Sequence, residues 1–408
     1  MKSKKSKRIK RKGKVFSIYG QIIQDRNIKA AWEKVKTNKG AAGIDRETIE
    51  NFQKQEEIKI REIQRLMQQK RYQPKSVKRV MIPKPNGDQR PLGIPTIRDR
   101  VVQQAILNKI ENIYEKHFHQ ESYGFRPNRS THQAIDQVIN LVEKENYNYV
   151  VEIDIKAFFD NVNHQKLMVL LNEHIADGTV LNLIESFLKA PIKENNQKPR
   201  IPRKGTPQGG VLSPLLANVY LNYFDRWMKE KNKTWIRYAD DILIFAKSKK
   251  EAEENKKLAT EILKRINLEV NKEKTKVRSK EEGFQFLGYH FLYVTKKNGE
   301  KKLLRKIRDK SKKKFKANMK KLTRRQQPVN IEKLIKERLN PVIRGFGNYF
   351  NKVNIHSYMN NIDGWIRMRL RAFLRKKKSK LDNYRYTNKF FEELGLISLE
   401  SLRKICSQ

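Results

Sequence analysis

The spacing of apolar positions changes several times along the 408-residue chain, and each change predicts an element. From Val15 to about Met67, Trp32 and Val35, then Ile58, Ile60, Ile63 and Leu66, recur among charges in a helical pattern. The stretch "GAAGID" at 40–45 interrupts it as a loop. Residues 77–96 read as extended. Their β-branched residues flank Pro85-Asn86-Gly87-Asp88, which predicts a hairpin with basic residues on its arms. A helix follows from about Arg98 to Phe118, carried by Val102, Ile106, Ile110, Ile113 and Tyr114. The middle alternates strands at "YVVEIDI" (149–155), "TWIRYA" (234–239) and "DILIFA" (241–246) with helices around 164–190, 213–230 and 249–266. "FQFLGYHFLYV" (284–294) is a further strand or hairpin. This order predicts an α+β fold with an antiparallel sheet covered by helices on one face.

After Gly299 the pattern reads as helical and intensely basic, through "KKLLRKIRDKSKKKFKANMKKLTRR". A helix with Ile331, Leu334, Ile335 and Leu339 follows, bent or broken at Pro341. A third, over roughly 355–376, carries Met359, Ile362, Trp365, Ile366, Leu370 and Phe373 along one stripe, so the tail predicts a small bundle with basic outer faces. Residues 381–408 read as too short and irregular for a domain, and the first 14 as a flexible basic tail with nine Lys or Arg and no acid.

Composition narrows the function. Lys plus Arg number 91 against 44 Asp plus Glu, a formal charge of +47, which favours an anionic partner to offset self-repulsion. Hydrophobic residues at 38% still supply a core. The lone Cys406 excludes an intramolecular disulfide and a multi-cysteine zinc site. No stretch approaches the ~18 apolar residues of a membrane span, and the basic start lacks the apolar segment of a secretory signal. These features predict a reduced, soluble, intracellular protein that meets nucleic acid. Charge alone suits a ribosomal protein, a chromatin protein or an RNA chaperone equally well.

Local chemistry separates an enzyme from a binder. Asp240 and Asp241 stand together between two apolar β runs in "RYADDILIF", where a plain hairpin turn is the simple alternative. Asp154 ends another apolar strand in "VVEIDIKAFFD", where a charge is costly to bury. If the two strand systems are neighbours, Asp154 and Asp240 face each other, and converging carboxylates are tolerable with divalent cations between them. Mg²⁺ takes hard oxygen ligands with phosphates completing its shell. Two such ions ~3.5–4 Å apart serve in-line phosphoryl displacement. The candidate reaction is nucleotidyl transfer.

"RYADD" resembles the Tyr-x-Asp-Asp motif of reverse transcriptases, with "DIKAFFDNVNH" (154–164) resembling their first catalytic motif and "GTPQGGVLSPLLANVYLN" (205–222) the segment between. "IPKPNGDQRPLGIPTIRDRVVQQAI" (82–106) and "SYGFRPNRSTHQAI" (122–135) extend the resemblance to reverse transcriptases encoded by bacterial group II introns, in order over residues 27 to 375. The resemblance implies a right-hand polymerase. N-terminal extension and fingers would span 15–145, the palm with interleaved fingers elements 146–295, and a helical thumb or maturase region 296–380. A short end segment, without an endonuclease module, would follow.

It also implies site roles. Asp154 and Asp240 would ligate two Mg²⁺ (Mn²⁺ a possible substitute), with the Ile155 carbonyl as a ligand and Asp241 in support. Phe159 would be the gate that excludes a 2′-hydroxyl; strand alternation alone does not choose between Phe158 and Phe159. Lys84 and Arg90 would grip the incoming triphosphate. Gln208 would reach a sugar or the template, and Phe286, Leu287, Gly288 and Tyr289 would grip the primer end. Lys274 would donate a proton to pyrophosphate, with Lys272 and Lys276 as competitors. The partners implied are an RNA template, an RNA or DNA primer, dNTPs and structured intron RNA, in the bacterial cytoplasm and away from membranes, with homo-oligomerisation open. The alternatives are a splicing maturase without polymerase activity, or a relative recruited to phage defence, CRISPR adaptation or repair.

Overall fold

The computed structural model describes residues 14–83, 89–194, 197–295, 298–375 and 382–405. Its strands are β1 (Val77–Pro83), β2 (Gln89–Ile94), β3 (Tyr149–Asp154), β4 (Ile192–Glu194), β5 (Thr234–Tyr238), β6 (Asp241–Ala246), β7 (Lys276–Ser279), β8 (Phe284–Phe286), β9 (Tyr289–Thr295) and β10 (Lys301–Ile307). They form three sheets, ordered β2-β1-β4, β5-β6-β3-β7 and β10-β9-β8. The mixed helix-and-sheet class follows the expectation. The chain packs as two compact units. One draws on Met1–Ser130, Ile153–Ile242 and Glu254–Thr275, the other on Thr131–Glu152, Leu243–Glu253 and Lys276–Gln408.

In the first unit, the helix Asp25–Thr37 buries Ala31, Trp32 and Val35 and packs on the long helix Ile97–Glu115. That long helix starts where Thr96 accepts a hydrogen bond from the Asp99 N–H. It buries Val101, Val102, Ala105, Ile106 and Ile110 around most of its circumference, so its period is that of a core helix. The expected hairpin is β1 paired antiparallel with β2, Ile82 opposite Arg90; its turn, with Lys84, lies outside the described residues. Strand β4 adds to β1 in parallel. Residues 164–190 form two helices, His164–Asn172 and Gly178–Leu188. The break comes at Asp177, whose carboxylate caps the second helix. The helix Ser213–Glu230 has Pro214 in its first turn, where the missing N–H costs nothing.

The second unit departs from the sequence reading at three places. Residues 301–307, expected as helix, form β10, because Leu303 and Ile307 are buried and the segment pairs residue by residue with β9. Helix begins only at Asp309. Pro341 does not break the following helix. The wider turns of a π-helical stretch, Leu334–Leu339, precede it and lead into Asn340–Tyr349, with the proline in the first turn of that segment. The end of the chain, read as irregular, carries short helices that fold onto the bundle. Phe391 and Leu399 are fully buried, and Asp363 of the helix His356–Arg375 accepts the N–H groups of Leu399 and Glu400. The bundle itself follows the expectation, with Phe315, Met319, Leu334, Ile343, Ile366 and Leu370 inside and lysines outside.

Asp177 gathers four backbone N–H groups, from Ile18 (2.8 Å), Tyr19 (2.9 Å), Thr179 (3.1 Å) and Val180 (3.3 Å). Burial works to raise its pKa, yet these donors hold it below the ordinary value. Asp177→Ala is expected to cost about 2 kcal/mol in urea unfolding at neutral pH. A depressed native pKa means the contribution is present above the unfolded value and lost as pH falls through the native one. The gap between the two proteins should therefore close at acid pH. An unchanged urea midpoint at neutral pH would contradict this role.

Candidate active site

Strands β3 and β6 are neighbours in the four-stranded sheet. Asp154 is the last residue of β3, Asp240 the last residue of the tight turn from β5, and Asp241 the first of β6. Sheet pairing therefore brings Asp154 and Asp240 to one place. Burial raises the Asp240 pKa above the ordinary aspartate value, and the charge of Asp154 raises it further; Arg90 and Arg237 act the other way. The repulsion expected of converging carboxylates is present. Asp241 is the more exposed of the adjacent pair.

The backbone around Asp154 is tied on one side. The Asn271 N–H donates to the Asp154 carbonyl (2.7 Å) and the Lys156 N–H to the Glu269 carbonyl (2.8 Å), flanking an antiparallel bridge between Ile155 and Val270. In that arrangement Ile155 is the wide-pair residue, so its own carbonyl points away from the Val270 strand. Thr275 holds the Asp154 N–H with its hydroxyl (3.3 Å).

Around these acids the first unit gathers other expected residues. Arg90, exposed on β2, lies close enough to act on Asp240. Lys274 places its ammonium 3.5 Å from an Asp154 carboxylate oxygen. Phe158 is 2% exposed and belongs to the core, while Phe159 is half-buried with its ring edge-on to Phe158. The pair sits on a short helix, Phe158–Asn161, entered through Ala157 at φ 45°, so strand alternation did not apply there. The Phe159 carbonyl accepts the Thr206 N–H (2.7 Å), and Gln208 follows two residues later. The Gln208 carbonyl accepts the Gly93 N–H of β2 (2.7 Å). Gly209 has φ 109°, and a Cβ there would meet the Gly93 carbonyl at 2.5 Å, so only glycine lets this loop close on the hairpin. Gln208 lines a cleft of about 670 Å³ with Arg79, Arg200, Arg203 and Lys204.

In the second unit, Phe286, Leu287, Gly288 and Tyr289 form the turn between β8 and β9, with Leu287 and Gly288 in the left-handed region. The Tyr349 hydroxyl donates to the Leu287 carbonyl (2.9 Å) and the Tyr289 hydroxyl to the Tyr349 carbonyl (2.6 Å). The turn is thus tied to the helix Asn340–Tyr349. Sequence reasoning missed this link, as it missed Asp225 and the buried Arg237 just before the paired acids. A charged residue inside the apolar run "TWIRYA" was the available signal. His117 is exposed and stacks on His174 at 3.7 Å between centroids.

Asp154, Asp240 and Asp241, with the Ile155 carbonyl, are an all-oxygen donor set. Among the described residues no three His, Cys, Asp or Glu side chains converge tightly enough to hold an ion by themselves. Oxygen donors of this kind suit Mg²⁺, which takes one or two carboxylates and leaves the rest of its shell to water and substrate phosphates. The repulsion between Asp154 and Asp240, and the ammonium drawn against Asp154, mark the place where positive charge is favourable.

Comparison with known proteins agrees with this geometry. Residues 82–291 match the reverse transcriptase (RNA-dependent DNA polymerase) family, and residues 312–391 match the group II intron, maturase-specific domain. Protein YkfC of Escherichia coli (strain K12) is 34% identical over 286 residues, 61% of this chain and 75% of YkfC. Group II intron-encoded protein LtrA of Lactococcus lactis subsp. cremoris is 32% identical over 340 residues, 67% of this chain and 56% of LtrA. The chain thus spans little more than half the length of LtrA. Nuclear intron maturase 2, mitochondrial, of Arabidopsis thaliana is 27% identical over 198 residues, 38% of this chain and 26% of that protein. With one match covering half the chain and the other following it in order, the protein belongs to the reverse transcriptase family and carries the maturase-specific domain of group II intron proteins.

Proposed function

We propose that this chain is an RNA-directed DNA polymerase of group II intron type that also binds intron RNA. The observation that carries the reading is the convergence of Asp154 and Asp240 on neighbouring strands, inside the region that matches reverse transcriptases. In the reaction, the primer 3′-oxygen attacks the α-phosphorus of a dNTP. A new phosphodiester P–O bond forms, the α–β bridging bond breaks, and pyrophosphate leaves with that electron pair. Asp154, Asp240, Asp241 and the Ile155 carbonyl would hold Mg²⁺, which when bound lowers the pKa of the primer hydroxyl and neutralises charge on the phosphates. Arg90 and Lys84 grip the triphosphate. Phe159 closes the space under the sugar, and Gln208 orients sugar or template. Lys274 gives a proton to the departing pyrophosphate; its position against Asp154 supports it over Lys272 and Lys276.

The division into fingers (15–145), palm (146–295) and thumb (296–380) is part of the same proposal, as is the primer-gripping turn at 286–289. The basic outer face of the bundle would take RNA phosphates, with affinity that falls steeply with salt. No helix among the described residues is long and apolar enough to cross a membrane, and we place the activity in the bacterial cytoplasm, by similarity to the L. lactis relative.

The direct test is primer extension on an annealed RNA template with Mg²⁺ and dNTPs. Asp154→Ala and Asp240→Ala are each expected to abolish cDNA while duplex binding stays within about threefold. cDNA made by Asp240→Ala would remove the catalytic assignment. A folded wild type that binds RNA and makes no cDNA would favour the maturase alternative. Phe159→Ala should lower the preference for dNTP over rNTP about ten- to a hundredfold in competition assays, and an unchanged ratio would contradict the gate.

Asp240 also carries a stability prediction. Its native pKa is raised, so its contribution favours folding at low pH and is lost as pH rises through the native value. In EDTA at neutral pH, Asp240→Asn should therefore melt a few degrees above wild type. The difference should shrink as pH falls toward the ordinary aspartate range. A lower melting temperature for Asp240→Asn in EDTA would show that the carboxylate is stabilising instead.

A further inference from the structure

A fully buried ion pair that the proposed mechanism does not use links β5, just before the paired acids, to the helix Ser213–Glu230. Arg237 and Asp225 are both 0% exposed at their side chains. The Arg237 Nε donates to both Asp225 carboxylate oxygens (2.9 and 3.0 Å), and the Trp235 indole N–H donates to one of them (3.1 Å). The same guanidinium has a second job. Its Nη1 donates to the Asn218 side-chain oxygen (3.0 Å) and to the Ala239 carbonyl (3.0 Å). Ala239 is the residue immediately before Asp240.

Ala239 needs such a hold. It stands at φ 57°, a left-handed conformation that a residue with a Cβ adopts only when its surroundings impose it. The segment 121–123 runs alongside β5, with the Arg237 N–H donating to the Glu121 carbonyl and the Tyr123 N–H to the Arg237 carbonyl (2.8 Å each). Gly124 then lies against the turn, where a Cβ would come within 2.3 Å of the Ala239 nitrogen. The Asn218 amide donates to the Gly124 carbonyl (2.8 Å), so one helix residue holds both the guanidinium and the backing segment. Asp225 and Asn218 sit on the same buried helix, Ser213–Glu230.

We infer that Arg237, clamped by Asp225 and Asn218, is a positioning residue. It fixes the strained Tyr238–Asp240 turn so that the Asp240 carboxylate is presented to Asp154 as a preformed cation site. A buried ion pair is weak evidence for stability, because burying both charges costs about as much as their attraction returns. Here the pair spans from a helix to the carbonyl next to the acid, and a planar fork reaches several acceptors at once where an ammonium cannot. The inference rests on the polymerase reading for its meaning in catalysis, but its structural content is testable without turnover.

The test uses the full-length chain and Mn²⁺ as probe, with bound ion counted by electron paramagnetic resonance in the absence of dNTP. Single-turnover extension then separates the rate of incorporation from dNTP affinity. Asp225→Leu combined with Arg237→Met removes both charges together, so that neither is left buried alone. In this folded double variant Mn²⁺ affinity should fall about ten- to a hundredfold. The incorporation rate should fall similarly, while dNTP and duplex affinities stay within about threefold. Arg237→Lys should restore only part of the loss. Wild-type Mn²⁺ affinity in the double variant, or full restoration by lysine, would overturn the clamp. If the double variant does not fold, Asn218→Ala carries the test, with weakened Mn²⁺ binding expected and unchanged binding overturning it. Wild-type Mn²⁺ binding that does not depend on Asp154 would overturn the clamp together with the metal site. A wild type that holds Mn²⁺ through Asp154 yet extends no primer would remove the polymerase reading alone, and the affinity comparison would still decide the clamp.

Discussion

The structure turns on keeping two carboxylates together that electrostatics would drive apart. Asp154 ends β3, Asp240 stands in the turn just before its neighbour β6, and the charge of Asp154 raises the cost of ionising the half-buried Asp240. Nothing in the local preferences of either strand favours this; it is imposed by strand pairing, by a left-handed alanine and by a buried arginine behind it. On the proposed reading, stability spent in this way holds a site for cation and phosphate, a trade that recurs at functional sites.

The same constraint organises the surroundings. Arg90 on the hairpin and Lys274 beside Asp154 bring positive charge to the acids, and a basic cleft opens next to Gln208. The chain as a whole carries +47, which favours a polyanionic partner, and in the proposed reaction phosphates and cations would relieve the charge at the site. In the second unit, lysines coat the outside of a bundle whose inside is ordinary apolar core.

Much of this was legible before the coordinates. Long periodic segments such as 97–115, and the apolar β runs around the three aspartates, declare themselves because burial on one face or both leaves a plain pattern. Residues 301–307 misled because the doubled lysines and leucines of "KKLLRKI" suit helix or strand, and only the register with β9 decides. Pro341 misled because a π-helical stretch leads into the turn it occupies. The choice of Phe159 over Phe158 came from family resemblance; in the structure a one-turn helix buries the first ring and leaves the second half-open. Lys274 could not be separated from Lys272 and Lys276 by composition, since only the fold puts one ammonium against Asp154. Arg237 was hidden for the opposite reason: its partner Asp225 lies on a helix, and pairing between distant residues leaves no periodic trace.

The measurement that bears most directly on the paired-carboxylate site is the melting temperature as a function of Mg²⁺ concentration, for wild type, Asp154→Asn and Asp240→Asn. A ligand that binds only the folded state stabilises it once its concentration passes the dissociation constant, and from there with the logarithm of that concentration. The expected result is such a rise in wild type, from a baseline that sits below Asp240→Asn in metal-free buffer, and no such rise in either variant. Equal Mg²⁺-dependent stabilisation of all three proteins would contradict the claim that these two aspartates are held together to receive a cation.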